Sequence, residues 1–110
     1  MTIRDSSLLR IIHREANLMK SAMKDTTLED FLVDYMKQRA IAMSLIIIGE
    51  STKNLSEAFR EGTAAEIPWR RISGLRDIVA HTYDTLDMEA VFVTATDSIA
   101  SFLSKIEKLI

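Results

Sequence analysis

Three side chains that could act together on a phosphate group lie within eight residues of the chain: Arg76, His81 and Tyr83. An arginine is a permanent cation whose planar fork of N–H donors matches phosphate oxygens. A histidine takes up or gives up a proton near neutral pH, and the tyrosine adds a phenol. The only Pro and the only Trp, Pro68 and Trp69, lie shortly before them. This combination suits chemistry on a phosphodiester.

If the phosphodiester is that of RNA, its cleavage without a metal ion needs a base for the 2′-hydroxyl, an acid for the leaving 5′-oxygen and a cation for the phosphorane. His81 can be the base or the acid, and Arg76 can be the cation. The other histidine, His13, belongs to a polar helical stripe and is expected at the surface. One chain therefore lacks a second proton carrier, whereas two copies across a two-fold axis would supply two His and two Arg. We expect no metal and no cofactor.

The spacing of Arg76 and His81 adds a geometric condition. Positions five apart on a straight helix point about 140° away from each other. The two side chains converge only if the helix ends or distorts just before His81, or if a neighbouring chain completes the site. The sequence leaves both possibilities open.

Hydrophobic periodicity predicts helices along most of the chain. A first amphipathic helix is expected from about Ser7 to Lys24. Thr26 and Glu29 then have the spacing of a capping box. The following stretch, to about Arg60, has no Pro and one Gly, Gly49, and predicts one long helix or two nearly collinear ones. On its first half, an apolar face is expected at Phe31, Leu32, Tyr35 and Met36.

The segment Ala40–Ile48 is apolar around its whole circumference. It is too short to cross a bilayer, which takes about 20 residues. A helix of this kind must be covered on all sides. Its cover is either the rest of its own bundle or a second copy of the chain, and the sequence favours neither.

Two further helices complete the prediction. Gly62 is expected to end the long helical stretch through a left-handed backbone, and Pro68 to lie in the first turn of the next helix. That helix is predicted to bury Ile72, Leu75, Ile78 and Val79. Asp87 is the candidate N-cap of the last helix, whose long apolar stripe comprises Met88, Phe92, Ala95, Ile99, Phe102, Leu103, Ile106 and Ile110. The fold class is therefore all-α.

Composition sets the outer limits. At 110 residues, the chain is expected to form a single domain, 1–110. It has no cysteine, which excludes disulfides and thiolate sites. No signal peptide is visible at the start, so a cytoplasmic location without a membrane partner is expected. The formal net charge of -2 argues against an overall basic footprint, so any contact with RNA must be local or formed by more than one chain.

The stretch Arg76–Tyr83 resembles the Arg-x4-His-x-Tyr motif of the HEPN ribonuclease toxins, specifically the HepT-like family encoded beside a small nucleotidyltransferase antitoxin. The flanking residues agree: Ile67-Pro68-Trp69 followed by Ile72, Gly74-Leu75 before the motif and Asp84 after it. The likeness runs from about Arg10 to Ile110. It implies a four- to five-helix up-and-down bundle that dimerises, with both motifs facing one cleft.

The resemblance also assigns roles. It implies that Arg76 and His81 are catalytic, that Asp77 helps to orient the site, and that the partner antitoxin attaches AMP to Tyr83. The function expected is that of a metal-independent endoribonuclease toxin of a type II toxin–antitoxin system. Arg70 and Arg71 either extend the positive patch towards RNA or form a solvated helical turn, with equal weight.

A different class of function is also open. The chain could be a non-catalytic helical dimer that serves as a binding module for a nucleotidyltransferase. In that case Arg76 would pair with Asp77, Asp84 or a Glu of the second helix, His81 would cap its helix, and Tyr83 would pack on the bundle. A basic cleft with exposed His81 favours the enzyme, and a buried, ion-paired Arg76 favours the module.

Overall fold

The computed structural model describes residues 1–110 and is helical throughout, with no strand. The helices are α1 (Ile3–Met23), α2 (Leu28–Val33), α3 (Tyr35–Asn54), α4 (Glu57–Thr63), α5 (Trp69–His81), α6 (Met88–Val93) and α7 (Ile99–Glu107). A 3₁₀ turn spans Tyr83–Thr85, and a π-helical turn, Thr94–Ser98, joins α6 to α7. The all-α bundle predicted from the sequence is confirmed. None of its helices is long and apolar enough to cross a membrane.

The long helices pack side by side in the order α5, α3, α1, α7. The short helix α2 lies against α3 and α6. Buried side chains from α1, α3 and the last helix form one continuous core, which includes Leu9, Ile12, Met19, Ile41, Leu45, Ala95, Leu103 and Ile106. Because α3 has α1 on one side and α5 on the other, it is the element that ties the motif helix to the body of the bundle.

Polar contacts fix the corners of this frame. Asp5 of α1 is 1% exposed and accepts hydrogen bonds from the backbone N–H and the hydroxyl of Ser56, at 2.8 and 2.7 Å, and from the backbone N–H of Thr2. Burial raises the pKa of Asp5, but these hydrogen bonds outweigh it and lower the pKa to about 2. The ionised carboxylate thus tethers the start of α1 to the start of α4.

The long second helix of the prediction is divided into three. The capping residue is Thr27, whose hydroxyl accepts from the Asp30 N–H, and not Thr26. A break at Asp34, which then caps α3, changes the helical phase, and Tyr35 and Met36 after it are exposed. Leu32 of α2 is also exposed, so only Phe31 of the predicted apolar face is buried. Gly62 has no positive φ and lies inside α4, so the predicted left-handed end was wrong.

The apolar segment of α3 is covered mainly by its own bundle. Ile41, Ala42, Leu45 and Ile48 are buried, whereas Met43 is 55% exposed. Met43 belongs to a stripe with Met36, Ile47 and Glu50, since residues 7, 11 and 14 positions apart lie on one helix face. A narrow part of α3 therefore remains uncovered.

α3 and α5 approach each other most closely at Gly49. A Cβ atom at this position would overlap the Cβ of Arg76 and would stand 3.1 Å from its Cγ and 3.2 Å from its Cα. A glycine inside a helix costs about 1 kcal/mol relative to alanine. The close approach of the two helices explains why this cost is tolerated here.

We predict opposite effects of alanine at two glycines. Gly49→Ala should lower the free energy of unfolding by about 1–2 kcal/mol, because overpacking outweighs the gain in helix propensity. Gly62→Ala should raise it by up to about 1 kcal/mol, because its Cβ would meet open space. Urea unfolding followed by circular dichroism measures both. A Gly49→Ala chain as stable as Gly62→Ala would contradict the packing described.

Candidate active site

The helix that carries the motif is anchored at its beginning by Trp69. Its side chain is 4% exposed, its Nε1–H donates to the Thr63 hydroxyl at 2.8 Å, and its ring lies 6.1 Å from that of Phe59. Ile67, just before the helix, is fully buried. These contacts attach the start of α5 to α4, so Trp69 anchors the beginning of the helix.

α5 continues as a regular helix through His81 and ends there. The backbone N–H of Thr82 donates to the Ile78 carbonyl at 3.0 Å, and its hydroxyl donates to the same oxygen at 2.6 Å. No end or distortion precedes His81. Within a single chain, Arg76 and His81 could converge only if the helix ended or distorted just before His81. The structure shows neither, so the two side chains do not converge within one chain.

Arg76 points towards α3. Its side chain is 27% exposed, its Nε lies 2.9 Å from Oε2 of Glu50, and its Nη1 donates to Oδ1 of Asp77 at 3.2 Å. The Nε–H is not directed at an acceptor, so the contact with Glu50 is an ion pair without a linear hydrogen bond. Two of the partners that the sequence allowed, Asp77 and a Glu of the second predicted helix, are confirmed.

Lys53 completes a group of four charges with Arg76, Glu50 and Asp77. Its Nζ donates to Oδ1 of Asp77 at 2.5 Å. This hydrogen bond, aided by the one from Arg76, holds the pKa of Asp77 below its usual value, although desolvation opposes the shift. The charges of the two cations and the two carboxylates cancel. The group therefore holds the N–H donors of Arg76 in fixed directions and has no net charge.

His81 lies on the other side of α5, exposed to solvent and outside this ion-pair group. Arg70 and Gly74 precede it by eleven and seven positions, which places all three on one helix face about 16 Å long. Arg70 and Arg71 are both exposed in the first turn, and a Cβ at Gly74 would meet no atom from outside its own helical turn within 4 Å. This face is basic at one end, has bare backbone in the middle and carries the imidazole at the other end.

Ile78 was predicted to be buried and is 53% exposed. Of the predicted stripe, Val79 is buried at 2%, while Ile72 and Leu75 are half-buried. Ile78 lies one helical step of about 100° from Val79, and α3 does not reach that far around α5. It stands beside His81 on the exposed side, since residues three apart are neighbours on a helix.

Tyr83 follows in the 3₁₀ turn and packs against the core. Its hydroxyl is buried and has no hydrogen-bond partner. An unsatisfied buried hydroxyl destabilises its conformation by about 1–3 kcal/mol. The turn that holds Tyr83 is therefore easier to open than a fully satisfied one.

His13 has no part in this arrangement. It lies on α1, where its Nε2 is 3.3 Å from Oε1 of Glu107 and 3.1 Å from the Asn17 amide nitrogen. Its ring is one-third exposed at the contact between α1 and α7. The expectation that His13 is a surface residue outside the catalytic set agrees with this position.

Comparison with known proteins identifies the class. A family model described as "Ribonuclease HepT-like" matches residues 12–109. The chain is 35% identical over 101 residues to the "Probable ribonuclease HepT" of Thermococcus cleftensis, covering 92% of this chain and 91% of that protein. It is also 31% identical over 102 residues to an inferred RNase of Caldanaerobacter subterraneus, with 93% and 90% covered. No solved structure gives a significant match.

These findings, with the helical fold, define a ribonuclease. The chain belongs to the HepT-like ribonuclease family. The family and enzyme class predicted from the sequence motif are confirmed, while the roles of the individual site residues stay predictions.

Sequence reasoning missed the parts that Gly49 and Lys53 play around Arg76, and it did not single out Glu50 among the acidic residues that it allowed as partners. These three residues lie 23 or more positions away along the chain. One local signal was present, since Gly49 is the only glycine in the long helical stretch and is followed at once by charged Glu50 and, three residues later, by Lys53. These charges end an otherwise apolar segment on a shared helix face.

Proposed function

We propose that this chain is a metal-independent endoribonuclease that works as a homodimer. In this mechanism the His81 of one chain takes the proton of the 2′-hydroxyl, and the freed oxygen attacks phosphorus. The His81 of the second chain gives a proton to the departing 5′-oxygen. Arg76 stabilises the charge of the phosphorane. The products are a 2′,3′-cyclic phosphate, or its opened form, and a 5′-hydroxyl.

The single observation that carries this proposal is the direction of the two motif side chains. Arg76 faces α3 and exposed His81 faces away from it, on a helix that stays regular between them. A second chain is the simplest source of the second histidine and of an arginine that faces His81. The exposed apolar side chains Met43 and Ile78, on α3 and beside His81, provide surface that a partner copy would cover.

RNA would enter along the exposed face of α5. Arg70 and Arg71 supply cations for its backbone, and the open surface at Gly74 lets a strand approach closely. The ion-pair group around Arg76 has no net charge, so it attracts RNA only weakly from a distance. The exposed Arg70 and Arg71 provide the long-range attraction.

We predict that the purified chain cleaves RNA in the presence of EDTA. His81→Ala should lower the rate by about 10²–10⁴-fold, and Arg76→Ala by about 10²–10³-fold, because each removes one chemical role. Matched controls are His13→Ala and Arg4→Ala, which change the same residue types on α1 and should cleave normally. Gel analysis of a labelled RNA with end-group mapping measures rate and products. Full activity in either motif variant would contradict the assignment.

We also propose that the enzyme is the toxin of a two-gene pair and that a nucleotidyltransferase antitoxin attaches AMP to Tyr83. Membership of the HepT-like family supports this role. The modification would add bulk and negative charge two residues from His81, which blocks the cleft and repels RNA. Because the Tyr83 hydroxyl is buried without a partner, the 3₁₀ turn must open for the transfer to occur.

The prediction for Tyr83→Phe is that cleavage of RNA persists and modification is lost. The fold should be unharmed or slightly more stable, since the variant removes an unsatisfied buried hydroxyl. Tyr35→Phe is the matched control, because Tyr35 is 63% exposed and lies on α3. Intact-mass analysis after incubation with the antitoxin, ATP and a divalent metal should show one added AMP on the control and none on Tyr83→Phe. The same addition on both chains would overturn the assignment.

The second candidate function, a non-catalytic binding module for a nucleotidyltransferase, is favoured by two observations. Arg76 is ion-paired to Glu50 and Asp77, as a purely structural arginine would be. Tyr83 packs against the core, as expected for the module. Exposed His81 and the one-quarter exposure of Arg76 favour the enzyme. Absence of cleavage by an unmodified dimer that still binds its partner would establish the module.

A further inference from the structure

The surroundings of Arg76 on α3 suggest a role for a residue outside the motif. Gly49 brings the α3 backbone against the first carbons of the Arg76 side chain, where no Cβ would fit. The stem of the arginine is therefore held against a rigid helix. Only the outer part of the side chain, the guanidinium, remains to be directed.

Glu50, the residue after Gly49, is placed to direct it. Its carboxylate lies 2.9 Å from Nε on one edge of the guanidinium, and Asp77 receives a hydrogen bond from Nη1. A guanidinium carries five N–H donors. Nη2 makes none of the hydrogen bonds within the chain and stays available to a phosphate oxygen.

Stability alone is a weak reason for this ion pair. Glu50 is 51% exposed and Arg76 27% exposed, and ion pairs that reach solvent add little to the stability of a fold. A fixed orientation matters much more where charge develops during a reaction, because preorganised donors need not rearrange at that moment. The contact is better explained by the chemistry of Arg76 than by folding.

We propose that Glu50 is a positioning residue for Arg76, which turns the Nη2 edge of the guanidinium towards the phosphate of bound RNA. The inference rests on the proposed function, in which Arg76 stabilises the phosphorane. Glu50 does not touch the reacting atoms and acts through Arg76. Lys53, by holding Asp77, restrains the second carboxylate of the same group.

The test compares Glu50→Gln with Glu61→Gln in steady-state RNA cleavage. Both variants lose one negative charge, but Glu61 is exposed on α4 and has no part in the ion-pair group. Glu50→Gln should lower kcat by about 10-fold or more, because a misdirected guanidinium costs rate. Its KM should stay the same or fall, because a negative charge near the phosphate is gone. Glu61→Gln should keep its kcat, and Glu50→Asp should recover part of the rate.

Each outcome decides the matter. A Glu50→Gln chain that is folded by circular dichroism and keeps the wild-type kcat overturns the inference. An equal loss on adding Glu50→Gln to an Arg76→Ala chain also overturns it, since Glu50 would then act independently of Arg76. Wild-type cleavage that depends on Arg76 but not on Glu50 leaves the proposed function standing. A wild-type chain without RNase activity removes both.

Discussion

The regularity of α5 is the constraint on which the account of this molecule depends. Trp69 fixes its beginning, Val79 fixes its buried side, and the helix runs unbroken to His81. Two side chains five positions apart on such a helix cannot face the same point. The fold thus holds its two most reactive groups apart within one chain, and a shared site requires a second one. The dimer proposed above therefore rests on the geometry of a single helix.

The contact between α3 and α5 serves two purposes. Gly49 has no Cβ that would keep the helices apart, and Glu50 and Lys53 after it reach across to Arg76 and Asp77 respectively. The resulting group is neutral in total, and attraction to the two carboxylates offsets part of the cost of removing the half-buried Arg76 from water. The group therefore adds no net positive charge to α5, and it fixes only the orientation of Arg76. The positive charge of the helix that no carboxylate balances is carried by the exposed Arg70 and Arg71.

The helical fold and the candidate motif could be predicted because their signals are local. The apolar periods of α1 and of the last helix, the Pro-Trp start of α5 and the cap at Asp87 all lie within a few residues of what they determine. The break at Asp34 could not be predicted, because neither Gly nor Pro marks it and the periodicity of the segment hides it. The predicted burial of Ile78 was wrong for a related reason. The hydrophobic period of a helix does not show how much of its surface a neighbouring helix covers.

Contacts between residues that are distant in sequence could not be predicted, for a different reason. The pairing of Glu50 with Arg76 depends on the crossing point of two helices, which Gly49 sets only after both have packed. The sequence could restrict the partner of Arg76 to a few acidic residues without choosing among them. It could also show that one chain is short of a proton carrier. The structure was needed to exclude a distorted helix, and the second chain stays a proposal.

The most direct test of the two-chain site is a subunit-mixing titration. Increasing amounts of His81→Ala chain are co-refolded with a fixed amount of wild-type chain, and RNA cleavage is measured per wild-type chain. If one cleft uses the His81 of both chains, each mixed dimer is impaired, and activity falls as the inactive chain is added. Activity that stays constant at every ratio would show that each chain cleaves RNA by itself, and would contradict the account.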